Sequence, residues 1–434
     1  MNFVLYRLRI AVIIQQSAIL LRENNQKTMK NLLIILVAVL FFAFTKKEEP
    51  VSEWRGPNRS GVYNEKGLLK QWPAEGPKLL WAIDSTGRGY GSPVIAGDRI
   101  FITGESDSTS YLYAYNLNGK QIWKVACGQE WVKNFPGSRS TPTVVGDLIY
   151  VCSGKGDIAC FNKNTGSKKW SLNMISDLQG TINMFGYSQS LLVNGDLVYC
   201  QPGGPENNVV ALNRFTGQKV WSQKAKGEIE AYGSPIVVKR GNRDLLLTFS
   251  EMSFLGLDGK SGELLFTHKM DTTGNLHGNV PVIDGNDLIY TEGDGNRTVK
   301  LKLASDGSSI SEVWRNRSFD NMMGGVVRLG DKIYGTAHRQ MYMKCLDMKS
   351  GQVTDSIKMF RGSTIAADGM LYVYTEKGVV NLVNPKPEGM QIVSSFKVTK
   401  GTKEFFTHPV IHDGVLYIRH GEALMAYSIK KEKV

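Results

Sequence analysis

Apolar and polar residues follow one phrase that returns eight times along this chain. A small polar residue, often with proline next to it, opens the phrase. An apolar run, a two-residue turn rich in Gly and Asp, and a second apolar run complete it. The clearest copies run from Gly91 to Ile102, from Ser140 to Val151 and from Ser190 to Tyr199; the others fall at 233–247, 280–290, 325–334, 363–373 and 408–418. Two apolar runs joined by a tight turn predict a hairpin, because Gly supplies the positive φ such a turn needs. The marker residues Asp98, Asp147, Asp196, Asp244, Asp287, Asp331, Asp368 and Asp413 lie 37 to 49 residues apart. A period in the forties, with two strands per phrase, is the size of one propeller blade.

A second phrase follows the first. Its fullest copy is Ala211-Leu-Asn-Arg-Phe-Thr-Gly217-Gln-Lys-Val-Trp221, and Cys160–Trp170, Ala114–Trp123 and Gly256–Phe266 are variants. It predicts a third strand, a Thr/Ser-Gly turn and an outer strand carrying an aromatic wedge between blades. At Leu346–Gly351 the turn remains and the aromatic is lost. In the seventh copy Asn384-Pro-Lys-Pro-Glu-Gly389 replaces the turn, so that outer edge is expected to be short or irregular. The eighth copy stops after its third strand, at 423–429. Residues 78–83, Lys-Leu-Leu-Trp-Ala-Ile, have the pattern of an outer strand and precede the first copy. The expected fold is therefore all-β: an eight-bladed β-propeller of four-stranded antiparallel blades, closed by an N-terminal strand pairing with the last blade. Closure removes the open sheet edges that would otherwise aggregate.

This divides the chain into a leader at 1–45, an extension at 46–77 and the propeller at 78–434. The length of 434 residues would suit two or three ordinary domains, but stacked blades share one axis. In the leader, Met29-Lys30-Asn31 precedes thirteen apolar residues and then Thr45-Lys-Lys. That is the make-up of a signal-peptide core, with Met29 as a candidate true start, or of an uncleaved N-terminal anchor. The protein is accordingly expected outside the cytoplasm, in the periplasm or cell envelope, touching membrane only through this segment. Of the net charge of +12, four units belong to residues 1–50, and no Lys/Arg block marks a nucleic-acid arm. No nucleic-acid partner is expected. Cys127, Cys152, Cys160, Cys200 and Cys345 form no CxxC and no zinc spacing, and most sit in apolar strand patterns, so they are expected as small buried hydrophobes.

The second phrase resembles the repeat of pyrroloquinoline-quinone (PQQ) dehydrogenase-like propellers, Ala-x-Asp/Asn-x-x-Thr-Gly-x-x-x-Trp, over residues 78–429. Trp54-Arg-Gly-Pro-Asn-Arg-Ser-Gly61 resembles the entry motif of a bacterial branch that is similar to the outer-membrane assembly factor BamB. The resemblance implies either of two functions, since one fold hosts both. One is a non-catalytic scaffold that contacts protein or polysaccharide at the cell envelope through its loop face and needs no cofactor. The alternative is a PQQ- and calcium-dependent dehydrogenase of alcohols or sugars. Quinone enzymes of this superfamily typically hold the cofactor between a Trp and a disulfide of adjacent cysteines, which this chain lacks. Oxygen ligands for calcium could come from Glu251, Glu292 or Asp294, although no spacing singles them out. No catalytic residue and no metal site is assigned.

In a propeller the first-strand starts and the loops between the second and third strands share one face, around the mouth of the channel. The ligand-binding candidates there are Arg139, Tyr187, Gln189, Tyr232, His277 and His408 from strand starts, with Glu251 and Glu292 from the loops. Such converging groups suit a carbohydrate or an anionic group, through hydrogen bonds and aromatic faces.

Overall fold

A computed structural model of the chain describes residues 50–270, 276–293 and 297–431. The leader at 1–45 and Asp294 lie outside the described residues. Among these, eight antiparallel sheets follow one another around a ring, as an eight-bladed β-propeller. Blades one to seven occupy 94–129, 143–173, 192–223, 236–269, 282–316, 327–358 and 362–397. The eighth is built from three strands at 410–428 and from Lys78–Ile83, which pairs antiparallel with Ala423–Ser428 as its outer strand. No described helix is long and apolar enough to cross a membrane.

The second phrase has a physical basis in how blades meet. In every blade the register shifts between the third and fourth strands, twice in blade one and once in each of the others. In five blades that pairing sets the outer-strand aromatic opposite a small residue: Trp123 faces Ala114, Trp170 faces Cys160, Trp221 faces Ala211, Phe266 faces Gly256 and Trp81 faces Ala426. The tryptophan ring then lies on the turn glycine of the next blade. A Cβ on Gly217 would stand 2.7 Å from Trp170, and one on Gly262 2.6 Å from Trp221. The indole N–H donates across the same junction, Trp170 to the Arg214 carbonyl at 2.9 Å and Trp221 to that of Gly259 at 3.1 Å. Trp314 of blade five does the same to blade six, where it meets Gly351 and donates to the Met348 carbonyl. All five cysteines are buried and free.

Two details differ from expectation. In blades four and five the turns are Gly241-Asn242 and Gly285-Asn286, and Asp244 and Asp287 are strand residues just beyond them. Asp287 instead binds Lys300 and Lys302 of the adjacent strand, at 2.6 and 2.8 Å. The outer strand of blade seven, Gly389–Lys397, is nine residues long rather than short. Pro385 is tolerated there because the second strand ends opposite Val383, so the ring faces no ladder acceptor on that side, and the Met390 N–H goes to Asp355 of blade six.

From Val51 onward the extension packs into the ring. Val51–Ser52 pairs antiparallel with the inner strand of blade two, and Val62–Tyr63 pairs parallel with that of blade seven. The strap between them runs from one side of the channel to the other. Arg55 and Arg59 are both buried. Arg55 donates to the carbonyls of Val326 (2.7 Å) and Thr364 (3.4 Å) in blades six and seven. Arg59 donates to Ser190, Leu191 and Pro235 of blades three and four at 2.7–3.0 Å, and pairs with Glu53 at 2.7 Å. A guanidinium fork suits this task, since it offers five donors in one plane. Gly325 makes room for it: a Cβ there would overlap the Arg55 side chain.

Candidate functional site

A cavity of about 330 Å³ opens where the strap, the strand starts and the inter-blade loops converge. Residues entering all eight blades line it, so it lies on the ring axis at the mouth of the channel. Trp54 of the strap contributes to its wall.

Aromatic rings collar the opening. Tyr90 meets Phe406 at 5.6 Å between centroids, Phe406 meets Phe135 at 6.0 Å, Phe135 meets Phe185 at 6.0 Å, and Phe185 meets Tyr232 at 5.9 Å. These are the tilted and edge-on contacts that ring quadrupoles favour. Phe135 sits at the tip of its loop with φ 47°, an uncommon conformation for a non-glycine residue. Arg139 holds that tip by donating to the carbonyls of Asn134, Phe135 and Gly137 at 2.7–3.1 Å. Burial lowers the pKa of its guanidinium.

Deeper in, hydroxyls pass from blade to blade. The Ser92 N–H donates to Thr141 Oγ1 (2.9 Å), the Thr141 N–H to Ser190 Oγ (3.1 Å) and the Ser190 N–H to Ser234 Oγ (2.9 Å). Thr141, Ser190 and Ser234 line the cavity and are almost fully buried. Because each of these oxygens already accepts a backbone proton, each keeps its own O–H to donate. His408 is 6% exposed, and its Nε2 has no hydrogen-bond partner among the described residues. Burial first, and the charge of Arg55 second, hold the imidazole neutral, with its pKa well below the usual value.

Of the expected candidates, Arg139, Tyr232 and His408 meet at this cavity. Tyr187 and Gln189 do not reach it. Tyr187 is fully buried and donates to the Pro202 carbonyl at 2.7 Å, and Gln189 exchanges hydrogen bonds with the Gln201 backbone. His277 is buried between its flanking cavity residues Leu276 and Gly278. It stacks on Phe249 and contacts the Glu251 carbonyl at 3.2 Å, and burial lowers its pKa to about 4. Glu251 is half-buried and away from the cavity, and Glu292 is wholly buried. The sequence reading missed Trp54, the three phenylalanines of the collar, and Met322 and Met323. A usable signal was present for some of them: Phe135, Phe185 and Phe406 occur in loops just ahead of strand starts, where an apolar residue needs a partner.

A calcium-held quinone calls for a flat aromatic facing clustered carboxylates. Trp54 instead meets the His408 ring edge-on at 5.2 Å, and the Arg55 guanidinium lies 5.8 Å from its centroid. Among the described residues no group of three or more His, Cys, Asp or Glu could hold a metal ion. The residues present do not fit that group.

Ring, strap and axial cavity define a PQQ-like repeat propeller. Residues 108–356 match the family described as outer membrane protein assembly factor BamB, and the chain belongs to that family. Among curated relatives, the factor of that name from Burkholderia pseudomallei (strain K96243) is 23% identical over 353 residues, 70% of this chain and 87% of its own length. Those from Shewanella oneidensis and Moranella endobia are 26% and 24% identical, and the matched stretches span only 41% and 60% of their lengths. A quinoprotein ethanol dehydrogenase from Pseudomonas aeruginosa is 25% identical over 46% of this chain and 33% of its own. The crystal structure of BamB from Moraxella catarrhalis superposes with a TM-score of 0.60 at 14% identity, covering 82% of this chain and 99% of that one.

Proposed function

We propose that this protein is a non-catalytic binding scaffold outside the cytoplasm, which docks a protein of the cell envelope on its mouth face. The observation that carries this reading is the apolar surface on that face. Phe135 is 42% exposed and Met184 is 61% exposed, on neighbouring loops joined by a hydrogen bond from the Asn134 side chain to the Met184 carbonyl. Exposed aromatic and Met side chains on adjoining loops are the composition of an interface core. The names of the assembly-factor relatives support a partner of this kind. Arg139 contributes by bracing the Phe135 loop, and Tyr232 by supporting Phe185. The polysaccharide half of the expectation belongs to the cavity, with His408 at its wall.

A photo-crosslinking phenylalanine analogue at Met184, in cells, is expected to capture one discrete envelope protein. The same analogue at Phe215, exposed on a turn between third and fourth strands at the opposite face, is expected to capture none. Dye-linked oxidation of ethanol or glucose after loading with PQQ and Ca²⁺ would overturn the reading in favour of a dehydrogenase.

A further inference from the structure

We infer that the axial cavity is a binding site for a saccharide ring. The inference rests on reading the mouth as a binding face, and it assigns a ligand class to the space beneath the collar rather than to the rim. The volume, about 330 Å³, lies in the range of small-ligand pockets, and so does the lining of apolar and aromatic walls with a few convergent polar groups.

The polar groups select among ligands. Thr141, Ser190 and Ser234 are at least nine-tenths buried, and each has a hydroxyl oxygen already occupied by a backbone N–H. Each therefore offers a proton to a ligand oxygen. His408 lines the cavity as a buried, neutral ring whose Nε2 has no hydrogen-bond partner among the described residues. A buried polar atom without a partner costs stability, so a ligand that satisfies it is bound more tightly. Nε2 is a donor or an acceptor according to tautomer, and a hydroxyl meets either need. An ammonium would meet the nearby charge of Arg55, and a flat apolar ring would leave the three hydroxyls and Nε2 unsatisfied.

The walls suit the rest of a sugar. The C–H face of a pyranose is apolar and packs on aromatic rings, and Trp54, Tyr90, Phe185 and Tyr232 line this cavity. Donors, an adaptable nitrogen and aromatic faces thus match a ring carrying hydroxyls on its edge and C–H groups on its faces.

The test is calorimetric titration of the purified chain with cellobiose, maltose and chitobiose in turn, alongside benzoate, with Trp fluorescence followed in parallel. At least one disaccharide is expected to bind saturably and to perturb the fluorescence. His408→Phe keeps a ring and removes both nitrogens, and is expected to weaken that binding at least tenfold. Ser234→Ala is the second variant, should His408→Phe fail to give the wild-type circular dichroism spectrum, and it is also expected to weaken binding. Binding of none of the three sugars, binding unchanged in the folded variant, or benzoate binding as tightly as the best sugar would overturn the inference. Met184→Glu at the rim is expected to abolish envelope-protein capture and leave the titration unchanged. Failure of the sugar site is therefore distinguishable from failure of the docking surface.

Discussion

Glu230 lies next to the collar, 2% exposed, with Oε2 accepting the Tyr232 N–H at 2.6 Å and Oε1 without a partner among the described residues. Burial raises its pKa to about 8, against a reference of 4.5. From pH 4.5 to 8 the unfolded chain releases a proton that the folded chain keeps, so this residue's contribution to stability declines as pH rises through that window. Glu230→Gln retains the acceptor and removes the titration. Thermal melts are expected to show no gain near pH 4.5 and a gain of ~1–3 kcal/mol at pH 8. A variant less stable than wild type at pH 8 would contradict it. His277 acts with the opposite sign. Its pKa falls to about 4, so stability is lost as pH drops from 6.5 to 4, while the unfolded chain takes up a proton that the fold refuses. None of this is legible in sequence, because Glu230 and His277 owe their shifts to burial by loops distant in the chain. His408 was legible as a strand-start histidine, but its lack of a partner was not.

At the scale of elements, the wedge between blades explains why the second phrase is so readable. Trp170 needs a partner without a Cβ in the next blade, and Gly217, at φ +74°, supplies both the turn and the space. Gly217→Ala is expected to cost ~1–3 kcal/mol in denaturant unfolding, through strain at positive φ and through contact with the ring. Combined with Trp170→Ala, the two costs are expected to sum to less than their separate values, since the clash is counted once. Strict additivity would place the effect in the turn alone. Trp314 escaped notice because the turn before it, at 304–309, departs from the Thr-Gly spacing. Blade seven was misjudged because proline counts against a strand only where a neighbouring strand needs its N–H. The strap was visible as a motif, but its role was not: Arg55 and Arg59 reach carbonyls more than a hundred residues away, and nothing local encodes that.

Lys78–Ile83 closes the ring as the outer strand of the eighth blade. Arg419 reinforces the same junction: it is fully buried and donates to the carbonyls of Gly87, Gly91 and Thr103 near blade one at 2.7–3.0 Å. Closure was readable from a count of strands, since the eighth phrase lacked one and the chain had one to spare. The double substitution Leu80→Pro with Ala82→Pro should unpair that strand. Light scattering after size exclusion is expected to show concentration-dependent oligomers, with a melting temperature well below that of the parent, because an exposed third strand is an edge open to pairing. A monomer melting with the parent would show that the ring does not need the strand.

The strap has one more consequence, which concerns time. Residues 51–63 come early in the chain, yet their partners lie at Val144 and Val145, Ser190, Pro235, Val326 and Thr364. A growing polypeptide therefore carries Arg59 without its carbonyl partners until the fourth blade has begun, and Arg55 without its own until the seventh. A guanidinium that stays open to solvent marks an unfinished molecule, and the finished one hides it, so the accessibility of Arg55 separates nearly complete propellers from shorter ones.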